Sequence, residues 1–143
     1  MEANELRIGN LVYESILSKI SRKKTGVKIC ELNSLEIHHV GYFPKSKYYS
    51  PIPLTEEWLL YFGFIQDDNE FRLPKIIGFI ESVYEICVRL YDDFCDVVLE
   101  EEQLNIDTYA IILPLKIKYV HQLQNLHFAL IGKELTKLLE NGK

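Results

Sequence analysis

The chain has 143 residues and a net charge of −5, and 48% of its residues are hydrophobic and 12% aromatic. A chain of this size and composition can bury a sizeable apolar core, which argues against disorder. One compact unit of this size needs no metal or disulfide to hold it together. No apolar run reaches the roughly 18 to 20 residues that span a bilayer, and the acidic N-terminus lacks the basic region of an export signal, so we expect a cytoplasmic protein.

The positive and negative charges are unevenly distributed along the chain. Residues 1–50 carry eight Lys or Arg against five Asp or Glu, a balance of +3, whereas residues 51–143 carry eight against sixteen, a balance of −8. Such asymmetry marks either a basic ligand surface or a solubility pattern on solvated faces. We favour the solubility pattern because neither half is strongly basic.

The first fifty residues predict short strands joined by turns. Residues 6–13 predict a strand entered through a Gly-Asn bend, and residues 11–20 fit either a strand or a helix, of which we favour the strand. Residues 27–32 and 35–40 predict a hairpin. Strands this short suit a bent antiparallel sheet or a small β-barrel of the Src-homology-3 type.

Pro51 and Pro53 mark the predicted boundary, because proline fixes φ and forces its predecessor into an extended conformation. We therefore expect a β-rich subdomain at 1–50 and an α+β subdomain at 51–143, within what can still be one compact domain. A short helix should begin after Thr55, a favourable N-cap, and end at Gly63.

The following segment predicts an antiparallel meander. Residues 64–73 and 76–80 are apolar runs, and a two-residue turn at Asp92 and Asp93 would join Val83–Leu90 to the strand after it. In this register Tyr91 faces Phe94, and Cys87 and Cys95 lie on opposite faces of the sheet. The remaining predicted pairs are Leu90–Cys95, Val88–Val97, Ile86–Leu99, Cys87–Val98 and an ion pair between Arg89 and Asp96.

Residues 111–118 predict a last strand, and an amphipathic helix follows it, with Gly132 as the terminating residue. Apolar residues recur at three- and four-residue steps on one side of this helix, and polar residues fall mainly on the other. The apolar side contains Val120, Leu123, Leu126, His127 and Leu130. The polar side contains His121, Gln122, Asn125 and Lys133.

Signatures of enzymes and metal sites are absent from the sequence. The three cysteines form no C-x-x-C pair, and the chain has no phosphate-binding loop, nucleophile elbow or zinc-protease motif. His38 and His39 would point to opposite faces of a strand, and His121 and His127 lie on different sides of a helix. We therefore predict no catalytic residue, no metal and no cofactor.

Two kinds of binding surface are open to this chain. A nucleic-acid surface would combine lysines that contact phosphates with aromatic rings that stack on bases, although the pI of about 5.4 is low for such a protein. Its candidate residues are Lys19, Arg22, Lys23, Lys24 and Lys28, with Lys45, Lys47, Tyr48 and Tyr49 further along.

A protein-binding surface would use unpaired sheet edges and the polar side of the last helix. An unpaired edge accepts a partner's strand, and polar side chains on a helix can form a contact patch. The candidate contact residues on the helix are His121, Gln122 and Asn125.

Three segments of the sequence resemble a family of small uncharacterised proteins from Bacteroidetes and their phages and mobile elements. The matching segments are residues 6–13 (LRIGNLVY), 51–64 (PIPLTEEWLLYFGF) and 117–126 (IKYVHQLQNL), the last of these continuing to 132–135 (GKEL). The resemblance implies a prophage or mobile-element setting and supplies no catalytic residue.

Taken together, the sequence predicts an α+β protein with an N-terminal β-rich part, a short helix, a meander and a closing helix. The function that we expect is that of a non-enzymatic accessory or adaptor protein that binds another protein. The alternative is a weak nucleic-acid-binding protein that uses the Lys19–Lys28 region.

Overall fold

The structure is a computed structural model that describes residues 1–18, 23–77, 83–92, 94–102 and 109–136. It has an α+β fold with two antiparallel sheets, and the chain divides into two compact units. The strands are β1 (Leu11–Leu17), β2 (Lys24–Glu31), β3 (Tyr49–Ser50), β4 (Ile65–Asp67), β5 (Glu70–Ile77), β6 (Val83–Leu90), β7 (Cys95–Glu102) and β8 (Tyr109–Ile117); the helices are α1 (Ser34–Tyr42), α2 (Glu56–Tyr61) and α3 (Val120–Ile131).

The first unit comprises residues 1–53 and 119–129, so it contains most of the closing helix, which the sequence had placed in the second subdomain. Its three strands form a sheet in the order β2-β1-β3. Val12 and Leu32 are almost fully buried and form a core cluster with Leu6 and Val40. Over the described residues this sheet is open rather than closed into a barrel.

Helix α1 replaces the second strand of the predicted N-terminal hairpin, so the strand prediction for residues 35–40 was wrong. Asn33 Oδ1 accepts hydrogen bonds from the backbone N–H groups of Leu35 (2.7 Å) and Glu36 (3.3 Å), and the Glu36 carboxylate accepts one from Asn33 N–H (2.9 Å). This reciprocal capping box satisfies donors that a helix start otherwise leaves unpaired. The capping box therefore stabilises a helix at a segment for which the apolar pattern alone predicted a strand.

The second unit comprises residues 54–118 and 130–143 and contains a five-stranded sheet in the order β4-β5-β6-β7-β8. The predicted β6–β7 register is confirmed, since Leu90 opposes Cys95 and Ile86 opposes Leu99. Tyr91 N–H donates to the Phe94 carbonyl oxygen (2.9 Å), as expected for the end of the hairpin. Asp93 of the predicted turn lies outside the described residues.

The β6–β7 hairpin differs from its prediction in one ion pair. Arg89 opposes Asp96 in the ladder, but its guanidinium binds the carboxylate of Glu70 on the neighbouring strand β5. Glu70 also lies directly opposite Arg89 in the β5–β6 ladder, so both acids are cross-strand neighbours of Arg89, and the ion pair forms with Glu70.

Two glycines with positive φ terminate helices at the predicted positions. Gly63 (φ +86°) follows α2, and Gly132 (φ +71°) follows α3. This left-handed conformation strains any residue with a Cβ, which explains why glycine occupies both positions. Helix α2 also begins after Thr55, but the Thr55 side chain makes no capping hydrogen bond.

Amide side chains connect helix α3 to the segment before β1. Gln124 accepts a hydrogen bond from Leu11 N–H (2.8 Å) and donates one to the Gly9 carbonyl (3.3 Å). Asn125 accepts from Asn10 Nδ2 (2.9 Å) and donates to the Glu5 carbonyl (2.7 Å). We call this set of bonds the amide clamp.

The amide clamp predicts a large cost for replacing Gln124 by an apolar residue of similar size. In Gln124→Leu, the part-buried Leu11 N–H and Gly9 carbonyl lose their partner, so the free energy of unfolding should fall by about 1–3 kcal/mol. Urea denaturation followed by circular dichroism measures it. Gln66→Leu makes the same change at an exposed position and should stay within about 0.5 kcal/mol of wild type; equal stability of the two variants would contradict the clamp.

Candidate functional site

A cavity of about 250 Å³ lies in the first unit, between helix α1, the loop after it and the strands β2 and β3. We call it the α1–β3 cavity. Its walls contain the lysines Lys24 and Lys47, the hydroxyl of Ser46, and the aromatic rings of His39, Phe43 and Tyr49. None of its described lining residues is an aspartate or a glutamate, so the charge that the walls supply is positive.

Lysines 24 and 47 are available for an anionic ligand. Both side chains are exposed, and neither forms an ion pair with a described carboxylate. Lys28 differs, because its Nζ lies 3.0 Å from Glu14, whose carboxylate also accepts a hydrogen bond from Tyr48 Oη (2.7 Å). The hydrogen bond from Tyr48, assisted by Lys28, lowers the pKa of Glu14, so the pair stays charged near neutral pH.

The structure therefore separates the basic residues that the sequence grouped together. Lys24 lines the cavity, Lys28 forms an ion pair with Glu14, and Lys23 is exposed just before β2. Lys19 and Arg22 lie outside the described residues. Lys47, which the sequence offered only as a distant companion, is brought to the same cavity as Lys24 by the pairing of β1 with both β2 and β3.

Aromatic rings form a connected group along one wall of the cavity. The His39 ring lies 5.0 Å from Phe43, 6.0 Å from Tyr48 and 5.9 Å from Tyr49, measured between centroids. Phe43 remains 59% exposed although it is large and apolar. Burial raises the pKa of Tyr49 to about 12, so this phenol keeps its proton and can donate a hydrogen bond.

The contact patch predicted on α3 does not have the exposure that it requires. His121 is only 1% exposed, and the prediction that it lies on an outer face was wrong. Asn125 belongs to the amide clamp, and Gln122 accepts a hydrogen bond from Tyr119 N–H (3.3 Å) at the start of the helix. The buried face also includes Gln124, whereas Leu130, predicted to be buried, is 41% exposed. Val120, Leu123 and His127 of the predicted apolar side are buried as well, so the buried face is that side widened by His121 and Gln124.

A different surface in the second unit is suited to protein contacts. Strand β8 ends the sheet, and its outer side pairs with no described strand. Ile111, Ile112 and Leu115 on this strand are 54%, 62% and 44% exposed. Residues 109–115 contain no charged side chain. A long, apolar and uncharged edge is a template for pairing with another strand.

The other sheet edges are protected by charge or by short length. Strand β4, at the opposite edge of the same sheet, has three residues, and its Asp67 lies 3.2 Å from Arg72. Strand β2 carries Lys24, Lys28 and Glu31 along the edge of the first sheet. Both devices discourage pairing with foreign strands, so β8 is the open edge among the described strands.

One charged cluster resembles a metal site in composition. Ligand atoms of Glu70, Cys87 and Glu100 lie within 4.8 Å of one another. The Arg72 guanidinium already occupies this cluster, donating to Glu100 (2.8 Å), Glu85 (3.1 Å) and Glu70 (3.0 Å). A bound cation would have to displace it, and a thiol ligand would have to ionise although burial raises the pKa of Cys87 to about 12. The geometry therefore favours a structural ion network.

A second cavity, of about 440 Å³, lies beside β4 and β5. Its walls include the carboxylates of Glu56, Asp68 and Glu70 against the single guanidinium of Arg89, which is bound to Glu70. Its described lining residues offer an anionic ligand no cation outside the Arg89–Glu70 pair, and they include no histidine or thiol for a metal.

The described part of the chain contains no helix that is both long and apolar enough to cross a membrane. No protein-family model matches the chain, and neither a curated protein nor a solved structure shows significant similarity to it.

The burial of His121 predicts a stability that depends on pH. Neither ring nitrogen has a hydrogen-bond partner among the described residues, and burial lowers the pKa of His121 below its ordinary value of 6.5. The folded state thus disfavours the proton that the unfolded state accepts, so stability is full above about pH 6.5 and falls as the solution is acidified below it.

Thermal unfolding of wild type and His121→Phe between pH 7.5 and pH 5 tests this expectation. The phenylalanine variant keeps a ring that can stack on Tyr119 and should lose less of its melting temperature on acidification. His38→Gln, at an exposed position, serves as the control and should follow wild type. If His121→Phe and wild type lose the same amount, His121 does not carry the effect.

The cysteines predict a selective reaction with alkylating agents. Cys87 and Cys95 are both fully buried, and burial raises the pKa of each thiol to about 12. Cys30 is only partly buried, and although burial and Glu14 raise the pKa of its thiol as well, its partial exposure makes it the thiol that the reagent reaches first. Brief treatment of the folded protein with iodoacetamide at pH 8 should therefore label Cys30 alone, as read by mass spectrometry, and all three after unfolding. Rapid labelling of Cys87 would contradict the buried hairpin.

Proposed function

We propose that this protein is a non-enzymatic accessory or adaptor protein that binds a partner protein through the edge of strand β8. The single observation that carries the proposal is the open edge itself, with Ile112 62% exposed and no charged side chain from 109 to 115. The partner contributes an extended strand, whose backbone continues the sheet and whose apolar side chains cover Ile111, Ile112 and Leu115.

The non-enzymatic part of the proposal rests on where the reactive groups lie. His38 and His39 follow one another on α1 and contact aromatic rings one turn ahead, Tyr42 and Phe43. The carboxylates nearest to one another surround Arg72 and are bound to it. These groups are held for packing and ion pairing rather than aimed at a common point in a cleft.

The biological setting in the proposal comes from the family resemblance of the three sequence segments. The resemblance implies a prophage or mobile-element setting in the bacterial cytoplasm, where a small binding protein can act on a host or phage partner. Weak nucleic-acid binding remains the second candidate, favoured by Lys24, which pairs with no described carboxylate. The two differ in salt dependence, because phosphate contacts weaken steeply as salt rises and a strand-pairing interface does not.

The edge variants test the adaptor proposal. Tagged protein is used to purify partners from its own host at low and moderate salt, and the partner is then produced and tested for direct binding. Adding charge to the edge with Ile112→Lys plus Leu115→Lys should weaken that binding at least about tenfold, because each lysine must be desolvated in the interface. Ile65→Lys makes the same change at a position 60% exposed on the opposite edge and should bind as wild type does.

Two outcomes would contradict the proposal. The double variant could bind the partner as tightly as wild type, which would place the interface elsewhere. Alternatively, light scattering could show a dimer that the double variant abolishes, which would assign the edge to a second copy of this chain.

A further inference from the structure

We infer that the α1–β3 cavity binds a nucleotide unit, meaning a base linked to a phosphate, either free or within a single-stranded nucleic acid. This inference concerns the first unit and does not depend on the β8 edge. It assigns the phosphate to Lys24 and Lys47 and the base to the rings of His39, Phe43 and Tyr49.

The phosphate side of the assignment follows from charge that nothing in the described chain neutralises. Lys24 and Lys47 approach the cavity from β2 and from the loop before β3, so an anion between them gains from both. Ser46 Oγ accepts a hydrogen bond from Tyr48 N–H (3.2 Å), which leaves its own proton to donate. The described lining residues include no carboxylate, which is the ligand that Mg²⁺ and Ca²⁺ prefer.

The base side follows from aromatic surface that the fold leaves partly uncovered. Phe43 lies at the cavity wall and is 59% exposed, and His39 beside it is also exposed. A base can stack on such rings whatever its identity. The binding free energy of this stacking is large enough for the site to bind a nucleotide more tightly than inorganic phosphate. The neutral phenol of Tyr49 adds a hydrogen-bond donor at the same wall.

The size of the cavity limits the ligand to one such unit. Sites for drug-sized molecules usually measure about 300–1,000 Å³, and 250 Å³ lies just below this range. A folded partner or a duplex would not enter, whereas one base with its phosphate matches both the volume and the division of the walls into a cationic and an aromatic side.

Calorimetric titration of the full chain with three probes tests the inference. The probes are adenosine monophosphate, inorganic phosphate and a short single-stranded oligo(dT), each at about 50 mM and about 200 mM salt. We expect saturable binding of one or both nucleotide probes that weakens with salt, and weaker binding of inorganic phosphate. Binding of adenosine monophosphate would identify a free-nucleotide site, and binding of oligo(dT) alone would identify a nucleic-acid site.

Variants separate the two sides of the cavity. Lys24→Glu plus Lys47→Glu should weaken nucleotide binding at least about tenfold, whereas Lys45→Glu changes an exposed lysine of the same loop that does not line the cavity. Phe43→Ala should weaken nucleotide binding about fivefold or more and leave phosphate binding unchanged. Circular dichroism confirms that each variant is folded.

Three results would overturn the inference. The first is no saturable binding of either nucleotide probe. The second is inorganic phosphate binding as tightly as adenosine monophosphate with no effect of Phe43→Ala, which would show a general anion site. The third is equal binding by the double lysine variant and by Lys45→Glu, which would place any bound nucleotide outside the cavity.

Discussion

The amide clamp between α3 and the chain before β1 is the interaction on which the first unit depends. It joins residues about 115 positions apart in sequence. The clamp therefore holds together the two stretches of the first unit, residues 1–53 and 119–129, between which the chain forms most of the second unit. Each hydrogen bond of this kind adds only modestly to the free energy of unfolding. Removing one partner lowers that free energy by more, because the other partner is then left buried without a hydrogen bond. The helix therefore presents Gln124 and Asn125 to the backbone of residues 5–11, and the orientation of its other side chains, including the buried His121, follows from that requirement.

The success of each sequence prediction depended on how local its physical basis was. The β6–β7 register follows from a short turn and from alternation along two strands, and it was correct pair by pair. The helix at Ser34–Tyr42 was missed although Asn33 and Glu36 have the spacing of a capping box, because the strand prediction for residues 35–40 rested on their apolar pattern alone. The burial of His121 could not be inferred from helical periodicity, which placed His127 on the apolar side and His121 on the polar side and carries no information about contacts with distant segments.

The same reasoning explains how much of the candidate sites could be foreseen. The basic residues were recognised as a group, but only three-dimensional pairing shows that Glu14 forms an ion pair with Lys28, whereas no described carboxylate pairs with Lys24 or Lys47. In the second unit, carboxylates from β5, β6 and β7 share the single cation of Arg72, so these acids are ion-paired although the cluster keeps a net negative charge. Net charge is a sum over the chain, whereas recognition depends on which charges remain unpaired, and that information is absent from composition.

Pro114 gives the β8 edge a property beyond its ability to accept a partner. The register between β7 and β8 shifts in this region, with Val97 opposite Leu113 but Cys95 opposite Ile117, and proline has no N–H to offer a neighbouring strand. Continuous ladders of identical strands, of the kind that build amyloid fibrils, require uninterrupted backbone donors and are disfavoured by proline. The β8 edge can therefore pair with one partner strand, whereas Pro114 disfavours the continuous strand-on-strand addition that builds a fibril.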